Sequence, residues 1–461
     1  MIAGHFDPEF LDLPDGVLVA TMQGHQRYFP VAGEDGALMP HFIAVSNIES
    51  RNPATVREGN ERVIRPRLSD AAYFFDSDRG RSLESRLEEL GDVVFQRKLG
   101  TLRAKSHRVA TLAGRVARAM SGSGEAMAHA ERAGLLSKCD LVTEMVGEFP
   151  ELQGEMGCEY ARLDGEPAAV ADAIGELYMP RFADDGIPGT AIGRAIAIAD
   201  KLDTIAGCLS LGQAPTGDKD PFALRRAALG TLRIMIEGEL DLDLDEMIAA
   251  AFERYEDQSR DEPGTATNEG YPGDIVASVN MASPDTVLEV RRFMLDRLRA
   301  YFSDRAIPTD VFNAVLATEP TRPLDFANRV RAVEAFRVLP EAASLSAANK
   351  RIRNILRQAD QAEIDVPGQV DDALLRADAE RSLSCTLDGI EPRVRAMLDA
   401  GEYTGALASL AGLRDDVDRF FDTVKVMDDD EKLRGNRLAL LVRIGALFME
   451  TADISLLQPA S

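Results

Sequence analysis

The stretch 133–147, AGLLSKCDLVTEMVG, decides the reading of this chain: Leu135, Leu136, Cys139, Val142, Met145 and Val146 fall on one helical stripe, with Asp140 beside it. Helical patterns with little strand character extend on both sides, from about residue 95 to 239. Residues 95–120 and 125–147 predict two amphipathic helices, and 168–180, 190–211 and 221–237 predict three more. EFPELQGEMGCEYA (148–161) ends one helix at Pro150 and starts another near Leu152. Five long helices in succession imply a compact all-α domain, assigned to 95–245.

Residues 1–94 read as a small α/β region. Apolar or β-branched stretches at 17–22, 27–31 and 42–46 predict short strands separated by turn-rich text. GNERVIRPRLSDAAYFFDSD (59–78) supplies the helix to cover them, with Val63, Ile64, Leu68, Ala71, Ala72 and Phe75 at helical spacing and Pro66 placed near a start or bend. Residues 246–286 are assigned as a linker or insertion, because 256–286 are rich in Gly, Pro, Ser, Thr and acid. From 287 to 461 the chain turns helical again, in seven or eight segments. The fold class is therefore mainly α.

The 461 residues carry 52 Lys+Arg against 77 Asp+Glu, a formal charge of −25. With 45% hydrophobic residues the chain is globular, and its acidic field excludes indiscriminate polyanion binding. An RNA partner would have to meet a local cluster of cations. Cys139, Cys158, Cys208 and Cys385 form no CxxC pair, so neither a zinc knuckle nor a disulfide framework is indicated, and buried free thiols in a reducing compartment are expected. No apolar run approaches the roughly 20 residues that span a bilayer, and the N-terminus lacks a signal-peptide pattern; a cytoplasmic location without a membrane partner is expected.

AIAIADKLDTIAG (195–207) places Asp200 and Asp203 on another helix. An apolar helix carrying His-Asp, followed much later by Ala-Asp-Lys/Arg-Leu, is the skeleton of the HD phosphohydrolase domain, in which His and Asp side chains hold a metal that activates water. This chain resembles that skeleton but has Cys139-Asp140 in place of His-Asp, preceded by Lys138. Only His107 and His129 lie upstream as first ligands, and a neighbouring lysine opposes a metal. Asp140 and Asp200 therefore stand as capping or packing acids, with a metallohydrolase using Asp140, Asp200 and His107 as the alternative.

In PTGDKDPFALRRAALG (215–230), Asp220 predicts an N-cap and Pro221 the first helical position. Thr-Gly-Asp-Lys lacks the GxxxxGK[ST] spacing of a P-loop. Lys219, Arg225 and Arg226 are candidates for an anion or RNA contact. The sharpest charge contrast lies at 321–359, where Arg322, Arg329, Arg331, Arg337, Lys350, Arg351, Arg353 and Arg357 face only Asp325, Glu334 and Glu341. Lys350, Arg353 and Arg357 share one helical face, with Ile352, Ile355 and Leu356 opposite. Asp428 to Glu431 load the first turn of a C-terminal helix, followed by Lys432, Arg434 and Arg437. All five histidines lie in the first third of the chain, and no Ser/His/Asp set is present to support nucleophilic catalysis.

The motifs HQRYFPV (25–31), 59–78, FQRKLGTLRAKSHRV (95–109), 135–157, AIADKLDTIAG (197–207), 215–230 and FFDTVKVMDDDEKLRGNRLALL (420–441), in this order, resemble the β subunit of the bacterial heterotetrameric glycyl-tRNA synthetase. The resemblance implies an N-terminal remnant of the family's body, a metal-free HD-like helical domain in which Cys139, Asp140 and Asp200 occupy degenerate positions, and a C-terminal helical-bundle anticodon-binding domain. It implies tRNA(Gly) and a catalytic α subunit as partners in an α2β2 assembly, with no role for DNA. It also implies no cofactor on this chain, and ATP with Mg on the α subunit. The family's chains are longer at the N-terminus. An interaction scaffold binding neither RNA nor metal is the remaining alternative.

Overall fold

The computed structural model describes residues 1–47, 51–217, 219–261 and 284–458 and is mainly α. The chain divides into two compact units, Met1–Gly238 with Glu246–Met294, and Glu239–Asp245 with Leu295–Ser461.

The first unit opens on a three-stranded antiparallel sheet of β1 (Ile2–His5), β2 (Phe29–Ala32) and β3 (Leu38–Ala44), in the order β1-β3-β2. Gly4 pairs with Phe42, and a Cβ at Gly4 would lie 2.4 Å from the Phe42 ring. That close approach requires glycine. Residues 17–22, expected as a strand, instead form α1 (Asp15–Ala20) and a following π turn, Thr21–His25. Val17, Leu18 and Met22 are all fully buried, and so short an apolar run has no period that separates strand from helix.

α2 (Pro53–Arg79) covers the sheet with a stripe of Ile64, Leu68, Ala71 and Phe75. Pro66 sits well inside this helix, not near its start, with its ring on the exposed face. Burial of the stripe on both sides of Pro66 outweighs the one backbone hydrogen bond that proline removes. The α2 residue Asp78 is buried and accepts hydrogen bonds from the Glu144 and Met145 amides and the Tyr160 hydroxyl, each at 3.0 Å.

A short hairpin, β4 (Val94–Gln96) and β5 (Gly100–Thr101), takes the start of the helix expected at 95; α3 (Leu102–Ser121) begins where the Thr101 hydroxyl accepts from the Ala104 amide. α4 (Gly124–Leu136) also ends early. The Ser137 hydroxyl donates to the Gly134 carbonyl, and the chain passes into a 3-10 turn, Cys139–Val142, before α5 (Glu144–Glu148). Cys139 and Asp140 thus stand on a turn, not on the continuous helix that the stripe suggested. α6 (Glu155–Leu163), α7 (Ala168–Glu176), α8 (Ala191–Ser210) and α9 (Leu224–Glu237) follow. α8 is the centre of this unit: 15 of its 20 residues are buried, and α3, α4, α7 and α9 pack on it. α10 (Leu244–Asp261) occupies the first part of the expected linker as a helix, and 262–283 lie outside the described residues.

The second unit holds the C-terminal part of α11 (Pro284–Ser303), then α12 (Thr309–Leu316), α13 (Pro323–Arg337), α14 (Ala342–Gln361), α15 (Asp378–Asp399), α16 (Tyr403–Ala411), α17 (Arg414–Thr423) and α18 (Glu431–Met449). Phe302, Phe312 and Phe326 form its aromatic nucleus, with Phe312 and Phe326 centroids 5.0 Å apart. No helix among the described residues is long and apolar enough to cross a membrane. Cys139, Cys158 and Cys208 are buried free thiols, whereas Cys385 is exposed.

Candidate functional site

Two places bear on function: the surroundings of Cys139, Asp140 and Asp200 in the first unit, and the basic helix α14 in the second. At the first, Lys105 and Arg108, three apart on α3, meet Asp200 and Asp203, three apart on α8. Arg108 Nε lies 2.7 Å from Asp203 Oδ1 and Nη2 lies 3.2 Å from Oδ2, while the Tyr255 ring stacks on the guanidinium. Lys105 Nζ lies 3.0 Å from Asp203 Oδ2. Both Lys105 and Lys138 place their ammonium groups 3.2 Å from Asp200 Oδ1, off its hydrogen-bonding directions. Burial raises the Asp200 pKa, but the attraction of Lys105, Lys138 and Lys201 outweighs it and holds this carboxyl well below its ordinary value.

Asp140 turns elsewhere. Its Oδ2 accepts from the amides of Gly154 at 2.5 Å and Gly157 at 3.3 Å, pinning the 3-10 turn to the start of α6. Burial pushes its pKa up to about 6 against those hydrogen bonds and the nearby Lys138. Cys139 is fully buried, with its thiol toward the Leu135 carbonyl, and burial raises it to about 12. His107 is exposed on α3. Among the described residues no three His, Cys, Asp or Glu side chains group as metal ligands, and the ammonium groups around Asp200 repel a divalent cation. The metallohydrolase reading fails on this donor set. Its signal was present in the sequence as matched i,i+3 charges in KSHR (105–108) and DKLD (200–203).

The helix expected at 221 begins three residues later. Asp220 does cap it, accepting from the Leu224 and Arg225 amides at 2.8 and 3.0 Å, but Pro221 stays outside and Ala223 turns into the left-handed region at φ +53°. Lys219 is exposed, Arg225 is half-buried, and Arg226 is exposed with Nη1 3.2 Å from the Arg181 carbonyl.

In the second unit, α14 buries Leu345, Asn349 and Ile352 and exposes Lys350, Arg351, Arg353 and Arg357. Ile355 and Leu356 are half-buried only. The cations differ in what holds them. Arg353 is spent on Asp453, whose side chain is 0% exposed. Arg351 lies over the Phe421 ring, 4.4 Å from its centroid, and Arg357 contacts Asn354 at 3.1 Å. Arg329 is bound by Asp325, Tyr403 and the Glu450 carbonyl, and Arg437 is buried between Glu380 and Asp428. Arg434 donates to the Asp428 carbonyl at 3.1 Å. These three cations hold the fold together. Arg331 is exposed beside Asn328, and Lys432 is exposed in the first turn of α18, which Asp430 caps.

Residues 345–455, which include the exposed cations of α14, match the family model described as DALR anticodon binding domain. Residues 1–317 match the model described as glycyl-tRNA synthetase beta subunit, so the chain belongs to that family. Relatives named glycine--tRNA ligase beta subunit include those of Shewanella amazonensis (48% identical over 458 residues), Tolumonas auensis (50% over 458) and Chromohalobacter salexigens (49% over 457). Each alignment covers 99% of this chain but only 62% of the relative.

Proposed function

We propose that this chain is the tRNA-binding part of a glycine-tRNA ligase β subunit, acting in the cytoplasm. It docks tRNA(Gly) for ATP-dependent glycylation on a separate α subunit, which carries the ATP and Mg, in an α2β2 assembly. Family membership across both units supports this reading, and the observation that carries it is the solvent-facing charge of Lys350, Arg351 and Arg357 on α14, inside the anticodon-binding match. In a chain of −25, these cations form a local docking face for phosphates, while most of the surface repels RNA. Splayed anticodon bases would be read beside them by guanidinium planes and hydrogen bonds.

The test is glycylation of tRNA(Gly) by this chain mixed with an α subunit, and by each alone. Activity of the mixture and of neither component is the expected result. A mixture no more active than the α subunit alone would overturn the reading.

A further inference from the structure

α2 covers only one face of the N-terminal sheet. Along β3 the residues alternate: Phe42 and Ala44 are buried on the covered side, whereas Met39, His41 and Ile43 lie on the other. Strand pairing carries this outer side across the sheet, with Ala3 and Phe29 opposite Ile43, His5 opposite His41, and Val31 opposite Met39. Val45 continues the alternation just past β3, so six of the eight outer residues are apolar. Among the described residues the face is open: Phe29 is 55%, Met39 40% and Val45 59% exposed. An antiparallel sheet with one solvated face normally turns polar side chains outward, so this face is built to be covered.

The two edges of the sheet are blunted instead. At the β1 edge the His5 amide donates to Glu61 Oε1 at 3.1 Å, and His5 Nδ1 lies 2.6 Å from the same oxygen. The other edge strand, β2, carries Pro30, which has no N–H to give to an added strand. Strand addition is disfavoured on both sides. What the sheet lacks is a second layer packed on its outer face, about 10 Å away.

Area decides between the occupants. Three strands about 4.8 Å apart and the seven residues of β3 at about 3.4 Å each give a face of roughly 14 by 24 Å. That is well short of the roughly 800 Å² per partner of a stable complex, so this face alone would not hold a second copy of the chain. A layer tethered beside the sheet needs far less area, because the tether raises its local concentration. The relatives carry the length for such a layer: only 62% of each is matched, and the family match starts at residue 1, beside β1. We propose that the outer face of β1, β2 and β3 seats the part of the family's chain that lies ahead of this match, through an apolar layer packed on Phe29, Met39 and Ile43. The inference rests on family membership and not on the tRNA reading, so it stands or falls independently of the glycylation result.

The experiment is thiol labelling of Ala3→Cys and Met39→Cys, read site by site by peptide mass spectrometry. Both positions are exposed, and in this chain they should label about as fast as the exposed native Cys385. Two further proteins are labelled in parallel: this chain with the unmatched residues of the Tolumonas auensis relative joined ahead of Met1, and the full-length relative with cysteine at the two aligned positions. Labelling at least 10-fold slower in both is expected, with Cys385 of the joined chain unchanged. If the joined segment fails to fold, the full-length relative decides. Unslowed labelling in that relative overturns the proposal. Labelling of this chain by itself that slows as its concentration rises would make a second copy the occupant and would overturn it as well.

Discussion

The ammonium group of Lys138 stands 3.2 Å from the carboxylate of Asp200, joining the residue before the Cys139-Asp140 pair to the central helix α8. A second ammonium, that of Lys105, lies at the same distance from the same oxygen. Lys105 on α3 and Lys138 ahead of the 3-10 turn are thereby both drawn onto one α8 carboxylate. An ammonium group holds the carboxylate but offers no open coordination position and cannot activate water.

Asp200 should therefore be a stability residue. Asp200→Ala leaves Lys105, Lys138 and Lys201 buried without a shared counter-charge and should destabilise the first unit by about 3–5 kcal/mol. The Asp200 pKa is depressed in the folded state, so its contribution is present above the ordinary carboxyl value and is lost as pH falls below it. Urea unfolding at pH 7 and pH 2 checks both points, and a variant as stable as the wild type at pH 7 would refute this role.

Asp140 has the opposite sign. Its folded pKa is raised to about 6, so the carboxyl favours the folded state below the ordinary value, and that advantage disappears as pH rises through 6. Asp140→Asn keeps an oxygen for the Gly154 and Gly157 amides and removes the charge that burial penalises. It should stabilise the protein at pH 7.5 by about 1–3 kcal/mol and leave it nearly unchanged at pH 4. A melting temperature lowered at pH 7.5 would count against this account.

Gly134 sets the spacing of α3 and α4. A Cβ there would lie 2.6 Å from the Ala110 Cα, which is backbone and cannot rotate aside. Gly134→Ala should cost about 1–3 kcal/mol by forcing the helices apart. The same change at Gly124, where nothing lies within 4 Å of the added Cβ, should be neutral or mildly stabilising. Thermal unfolding of the two variants separates packing from backbone entropy.

Helix content was legible where a buried stripe coincided with a cap, as in α8 behind Thr190. It was illegible at 125–147, because a 3-10 turn advances the stripe almost as a helix does and the break falls on Ser137, a residue that helices tolerate. Pro66 misled for the converse reason: local preference lost to burial on either side. In the basic segment, counting charges found the right helix and the wrong partition. Arg353 and Arg437 are consumed by Asp453 and Glu380, which are remote in sequence, so local composition cannot reveal the pairing.

That partition makes the functional test sharper. Lys350 and Arg357 are exposed on α14, and Lys350→Ala/Arg357→Ala should weaken tRNA(Gly) binding about 10-fold or more at 0.1 M salt, reduce the log-log salt slope by about 2, and leave the melting temperature unchanged. Arg353 lies on the same face but answers the fully buried Asp453 carboxylate, which also caps the final 3-10 turn through Ser455. Arg353→Ala should therefore cost about 1–3 kcal/mol of stability, as a buried acceptor loses its partner. Measured side by side, the first variant loses RNA affinity with its fold intact, and the second loses stability. If Arg353→Ala weakens binding as the double variant does while its melting temperature stays at the wild-type value, the cation belongs to the docking face and not to the Asp453 pair.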